Sequence, residues 1–346
     1  MKYVVFKHPE TKELEYSRQR GPVYGEAGAP VRWENTLAPW LEDEGFTRGC
    51  NEPAVFYHEE NDVLAGTFVD DLIYDAEEDG IKWAETAIED RFDCKGTEWL
   101  EPNMEPLDYL GMELLLSTTR IHLSMESYIL QTVALLQLDD LCKNYVYPHV
   151  PMSGPIDPDS PELPSHMVKL FLQGSGCLGW LVETGRPDVC QAHSRISQKQ
   201  ARPTAAAWEA LKHVFHYLYG ARRWCLSCPT HSEDKDLFSM PWLQSQDSES
   251  VWEFYVDSDF AGNTDPDVKR KSQIGIIALQ NVFPVFWSSK VSSVAFADSD
   301  IGEAHADVSS GAAEVYAAGN CTYDFLHLAH VAEEMNIDFP RPSHCS

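Results

Sequence analysis

Phe68-Val69-Asp70-Asp71-Leu72-Ile73-Tyr74 is the stretch on which the reading of this chain turns. Val63-Leu64-Ala65-Gly66-Thr67 precedes it, and an acidic run from Asp75 to Asp79 follows. Two apolar runs around adjacent aspartates predict strand, tight turn, strand, with Asp suited to the turn because it tolerates unusual backbone angles. The hairpin is apolar except at its tip. Adjacent carboxylates repel, and a Mg²⁺ ion shared with a phosphate relieves that repulsion, as phosphoryl- or nucleotidyl-transfer sites require. A solvated hairpin tip has the same sequence, so the pair alone does not decide between the two.

Outward from the hairpin, Ile81, Ala84, Ala87, Ile88 and Phe92 share one helical face opposite acids, which predicts a helix over 81–92. A strand is expected over 107–117 and an apolar helix over 128–141. Residues 150–164 are rich in Pro, Asp and Ser and read as a linker. Helical spacing returns over 168–182 and 204–219, on either side of Arg186-Pro187-Asp188. The polar run 230–250 marks a second boundary. Beyond it, strands are expected over 251–257, 274–279 and 282–287, then helix over 312–328 and 329–335, a mixed α/β pattern.

The first of those late strands ends in Asp257-Ser258-Asp259-Phe260-Ala261-Gly262, whose two aspartates are spaced to project from one face. Cys225-x-x-Cys228 with His231 is the one metal-like cluster, and a single such pair lacks the second half of a structural zinc set. The nine cysteines form no framework and favour a reducing compartment. No apolar run is long enough for a membrane span and no signal peptide is recognisable, so an intracellular location, cytoplasmic or nuclear, is expected. The 26 Lys and Arg stand against 55 Asp and Glu, a formal charge of −29. That balance opposes phosphate binding, to which Arg222-Arg223 and Lys269-Arg270-Lys271 are the best local exceptions.

Taken in order, these segments resemble the reverse transcriptase and ribonuclease H-like region of copia-type retrotransposon Pol polyproteins. Phe68-Val69-Asp70-Asp71 is similar to the family's Tyr/Phe-Val-Asp-Asp box. Val23-Tyr24-Gly25 through Pro30 to Trp33, Gly45-Phe46, Glu52-Pro53-Ala54-Val55-Phe56 and Leu110-Gly111-Met112-Glu113 match further landmarks. So do Ile121-His122-Leu123-Ser124 and Val150-Pro151-Met152, then Gly185-Arg186-Pro187-Asp188 and Tyr217-Leu218-Tyr219-Gly220. Asp257-Ser258-Asp259 resembles the box opening the ribonuclease H-like domain, continued by Phe286-Trp287-Ser288-Ser289-Lys290. Ser309-Ser310-Gly311-Ala312-Ala313-Glu314 resembles its helix motif, with Ala312 in place of the first glutamate and Glu314 retained. Residues 297–306 form an acidic insertion relative to the family.

The resemblance implies an α+β fold. Residues 1–147 correspond to a partial palm and thumb, 148–165 to a linker, 166–249 to a helical connection, and 250–346 to an incomplete ribonuclease H-like domain. It further implies Mg²⁺ (or Mn²⁺) held by Asp70 and Asp71 for polymerisation, and by Asp257, Asp259 and Glu314 for hybrid cleavage. Asp70, Asp71, Asp257 and Glu314 would be the catalytic residues. RNA/DNA template-primer and dNTP are the implied partners, bound weakly given the charge, with other Pol segments possible and no membrane. The family's further palm aspartate would fall before Met1 and its next ribonuclease H aspartate after Ser346, and Glu26-Ala27-Gly28 replaces Leu-Lys-Gln. A truncated, catalytically impaired fragment is therefore expected. The alternative is a non-catalytic, degenerate or co-opted remnant acting as an acidic interaction module.

Overall fold

A computed structural model describes residues 3–7, 11–18, 28–94, 96–144, 148–152, 155–230, 252–259, 271–280, 283–295 and 310–335. The chain is mixed α and β and divides into two compact units. Among the described residues, no helix is long and apolar enough to cross a membrane.

The first unit comprises residues 1–97 with 327–339. It opens with a hairpin, β1 (Tyr3–Lys7) and β2 (Leu14–Arg18). Helix α1 (Ala29–Asp43) starts with Pro in its first turn, where the missing N–H costs nothing, and buries Leu37, Ala38 and Leu41. It ends in a Schellman pattern: Gly45 at φ +102° donates to the Glu42 carbonyl and Phe46 to that of Leu41. Then β3 (Thr47–Arg48), β4 (Val55–His58), β5 (Val63–Phe68) and β6 (Asp71–Asp75) pair antiparallel in chain order. Helix α2 (Glu78–Arg91) carries acids in its first turn and Arg91 in its last, matching its dipole, and buries Ala84 and Ile88. The core of this unit lies between the helices and one face of the sheet, around Leu41, Phe46, Phe56, Val63 and Ala65.

The second unit comprises residues 98–326 with 340–346. The strand expected over 107–117 is instead a hairpin, β7 (Leu107–Tyr109) and β8 (Met112–Leu116). Leu110 and Gly111 both take positive φ, +56° and +79°, as a two-residue turn that follows the strand twist requires. Next come β9 (Arg120–Ser124) and helix α3 (Glu126–Leu135). The helix expected over 128–141 breaks at Gln137, φ +58°, and resumes as α4 (Asp139–Asn144). Glu113 on β8 accepts hydrogen bonds from the Ser124 hydroxyl at 3.0 Å, the Ser127 hydroxyl and the Ser127 amide at 3.4 Å, fixing the start of α3.

Residues 155–164 hold no helix or strand, yet Leu163 is buried and donates to the Pro203 carbonyl at 2.8 Å, while Pro161 accepts from Ala205. Helices α5 (Ser165–Thr184), α6 (Cys190–Ser197) and α7 (Ala205–Gly220) follow, with α7 capped by the Thr204 hydroxyl accepting from the Ala207 amide. Strand β10 (Leu226–Pro229) pairs with β9 and completes the order β10-β9-β8-β7. A separate sheet holds β11 (Trp252–Ser258), β12 (Lys271–Gln280) and β13 (Phe283–Ala295). The late helices form one, α8 (Ser310–Glu334).

At the centre of the helical core, Arg186 is only 2% exposed. Its guanidinium grips Asp188 in bidentate fashion at 2.9 and 2.7 Å and reaches the Ala221 carbonyl at 3.3 Å. The Tyr217 hydroxyl donates to the same Asp188 at 2.8 Å. Burial first, and then the bond to Asp188, pushes the Tyr217 phenol up to about 12. Removing one partner from a buried pair strands a charge at a cost of about 3–5 kcal/mol, whereas losing one neutral donor costs about 1 kcal/mol. Asp188→Ala should therefore lower the unfolding free energy about threefold more than Tyr217→Phe, measured by urea denaturation.

Candidate catalytic carboxylates

The hairpin expected around Asp70 and Asp71 is present, with Val69 and Asp70 forming the turn between Phe68 and Asp71. Strand alternation sends Leu72 and Tyr74 inward against the α1–α2 core, and Asp71, Ile73 and Asp75 outward. Burial, reinforced by the Cys94 thiol, pushes the Tyr74 phenol up to about 12, so it stays a neutral core residue. Both aspartates at the tip are exposed.

Val69 sits at φ +56°, where a β-branched side chain is strained. The strain is held from behind: the Trp33 indole on α1 donates to the Val69 carbonyl. Trp33 packs on Phe92 at 5.4 Å, and Trp40 meets Phe92 edge-on at 5.1 Å. The pair thus stands on a supported turn, ringed by apolar Phe68 (46% exposed), Val69 (52%) and Ile73 (40%).

Two adjacent carboxylates suit Mg²⁺, which takes one or two protein carboxylates and fills its remaining positions with water and substrate phosphate. They do not make an all-protein cage. Among the described residues, no group of three or more His, Cys, Asp or Glu is placed to hold a metal.

The second constellation is arranged differently. Phe254 and Val256 of β11 pack with Ala317 and Cys321 of α8, and Phe254 meets Phe325 at 4.8 Å. Alternation then turns Tyr255 and Asp257 to the opposite face of the sheet. That opposite face carries Trp287, which donates to the Val182 carbonyl at 2.6 Å, and Gln273, which reaches the Ser194 hydroxyl at 2.9 Å. Glu314 is exposed on α8, so Asp257 and the helix bearing Glu314 lie on different faces.

Asp257 is exposed and accepts from the Ser258 amide at 2.9 Å. Asp259 closes the end of the β11–β12 ladder. Its carboxylate accepts from the Gln273 amide at 2.6 Å while its own amide donates to the Gln273 carbonyl at 3.1 Å. Phe260, Ala261, Gly262, Ser309, Lys269-Arg270 and the insertion at 297–306 lie outside the described residues, as do Val23 to Ala27.

Cys225 lies 3.9 Å from His122 Nδ1, a neighbour supplied by β9–β10 pairing, while His231 is outside the described residues. Burial pushes both the Cys225 and Cys228 thiols up, away from the thiolate a metal needs. What sequence reading missed is the support behind the turn. Trp33 was legible as a landmark, but its bond to the turn depends on the packing of α1.

No protein-family model matches the chain, and no solved structure matches it. Curated proteins do. The retrovirus-related Pol polyprotein from transposon RE1 of Arabidopsis thaliana is 26% identical over 332 residues, covering 93% of this chain and 20% of the relative. That from transposon TNT 1-94 of Nicotiana tabacum is 24% identical over 279 residues, 78% of this chain and 19% of the relative. A putative transposon Ty5-1 protein of Saccharomyces cerevisiae is 25% identical over 221 residues, 62% of this chain and 68% of the relative. The resemblance to copia-type retrotransposon Pol polyproteins therefore holds over most of the chain. The chain spans about a fifth of the length of the two Pol polyproteins.

The left-handed turn residue makes a direct prediction. An αL conformation costs an ordinary residue about 1–2 kcal/mol, and Asn tolerates it. Val69 is half exposed and gives up little packing. Val69→Asn should raise the unfolding free energy by about 1 kcal/mol, read from the midpoint of urea denaturation.

Proposed function

We propose that this chain, similar over most of its length to copia-type retrotransposon Pol polyproteins, is a retroelement-derived reverse transcriptase and ribonuclease H segment with weak catalysis of its own. The observation that carries the reading is the Asp70–Asp71 pair on a strained, Trp33-braced turn. In this reading residues 1–147 are palm and thumb, 166–249 the connection, and 250–346 the ribonuclease H-like part.

Asp70 and Asp71 would hold Mg²⁺, which would neutralise phosphate charge at the reacting centre. The chain's own contribution is to fix both carboxylates at an exposed tip and to keep the turn rigid through α1. Phe68 and Ile73 flank the tip as an apolar floor for a template-primer end. Other Pol segments are the natural suppliers of further ligands.

Weak catalysis follows from two features. The net charge of −29 repels the phosphates on which nucleic-acid affinity depends. On the nuclease side, Asp259 is committed to the ladder and Asp257 lies across the sheet from α8, so this carboxylate set does not fit a shared metal as arranged. The same two features favour the second reading, a non-catalytic acidic interaction module.

Primer extension and hybrid cleavage with Mg²⁺ or Mn²⁺, together with thermal unfolding in Mn²⁺, separate the readings. We expect a metal-dependent rise in unfolding temperature that Asp70→Asn/Asp71→Asn abolishes, and hybrid cleavage no faster than in Asp257→Asn. Cleavage that Asp257→Asn removes would overturn the impairment. A chain indifferent to metal at the Asp70–Asp71 tip would leave only the acidic module.

A further inference from the structure

Glu334, in the last turn of α8, makes a contact that the proposed chemistry does not use. Its Oε1 accepts from the Cys50 amide at 3.0 Å, the Asn51 amide at 3.0 Å and the Asn51 side-chain Nδ2 at 2.6 Å. Its Oε2 shares the Asn51 amide at 3.1 Å. Two consecutive backbone N–H groups and an amide side chain thus converge on one planar carboxylate, from residues 283 and 284 positions away in sequence. Converging backbone amides are the general device by which proteins bind anions without a cationic side chain.

The surrounding loop is built independently of Glu334. The Gly49 amide donates to the Val55 carbonyl at 2.9 Å, the Val55 amide to that of Glu52 at 3.0 Å, and Arg48 Nε to that of Pro53 at 2.7 Å. These bonds turn the amides of residues 50 and 51 to a common point. Gly49 is also spatially required: a Cβ there would lie 2.6 Å from the Glu52 carbonyl oxygen and 3.0 Å from Glu334 Oε2. Burial pushes the Glu334 carboxyl up, but the amide bonds from Asn51, Cys50 and Glu52 outweigh it and hold the group below the ordinary carboxylate range. Among the described residues no cation takes part in these contacts, so recognition rests on hydrogen-bond direction. That selects a carboxylate over a side chain that is merely negative.

We infer that loop 49–53 is a carboxylate receptor which the chain fills in cis with Glu334, latching the last turn of α8. A tethered carboxylate acts at an effective concentration of about millimolar or more, so an untethered one binds weakly but measurably. An amide that loses a charged acceptor exchanges faster because its bond no longer has to be opened.

The test is hydrogen exchange of the Cys50 and Asn51 amides in the full chain, followed by NMR or mass spectrometry. In Glu334→Ala these amides should exchange at least about tenfold faster, and about 100 mM acetate should restore much of the protection. Glu334→Gln, which keeps one acceptor oxygen and the size of the side chain, should give an intermediate rate and guards against a folding defect in the alanine variant. Unchanged exchange in both variants would overturn the latch. Faster exchange that acetate does not reverse would overturn the receptor.

Discussion

One buried guanidinium organises the helical part of the second unit. Arg186 lies between the end of α5 and the start of α6, and without a partner its burial would cost several kcal/mol. Asp188 supplies the charge, Tyr217 of α7 orders Asp188, and the Ala221 carbonyl takes a further donor. Helices that would otherwise meet through non-directional apolar contacts are thereby given one register. Gly185 lies beside the same network: a Cβ there would lie 2.7 Å from Leu123 Cδ2 and 3.2 Å from Met125 Cγ, so a side chain would force both neighbours to shift. A hydrophobic replacement could match the stability, but it would not set this register.

The hairpin of the first unit solves a different problem. Its carboxylates are exposed and need no burial, and what the fold fixes is the turn that carries them. Direction comes from the covalent frame of a two-residue turn and from Trp33 behind it. Strain at Val69 is the consequence of using a turn that glycine or asparagine would fill more comfortably. An apolar residue there keeps the tip's polar groups to the two aspartates.

Elements with strong local periodicity were legible in the sequence. The Phe68 to Tyr74 hairpin, the helix before Phe92, the two long helices around Arg186 and the late run of three strands and a helix all stand close to where spacing put them, with the third strand extended to Ala295. The misses have physical causes. The 107–117 strand is divided by the Leu110–Gly111 turn and the 128–141 helix by Gln137, with Leu110 and Gln137 taking positive φ although neither is Gly or Asn. Helix α6 is short and its apolar face is brief, so periodicity had little to act on. Alternation correctly put Asp257 and Asp259 two apart, but not that Asp259 leaves the strand to bond Gln273. Nor can alternation say which face α8 covers. That choice is made by Phe254, Val256, Ala317 and Cys321 packing together, a non-local event.

The landmarks that carry the resemblance are, in this structure, largely the residues that hold the fold. Arg186 and Asp188 of one landmark and Tyr217 of another meet as a single buried network. Glu113 of a third accepts from Ser124 of a fourth at the start of α3. Trp33 braces the turn, and Trp287 anchors its sheet through the Val182 carbonyl. Such residues depend on packing partners and tolerate little, because each removal strands a polar group or opens a void. A surface carboxylate has no such constraint, since losing it costs the fold almost nothing. Similarity resting on buried networks therefore says more about packing than about chemistry. Here the packed networks stand beside a formal net charge of −29, and Asp257 lies across a sheet from the helix that carries Glu314.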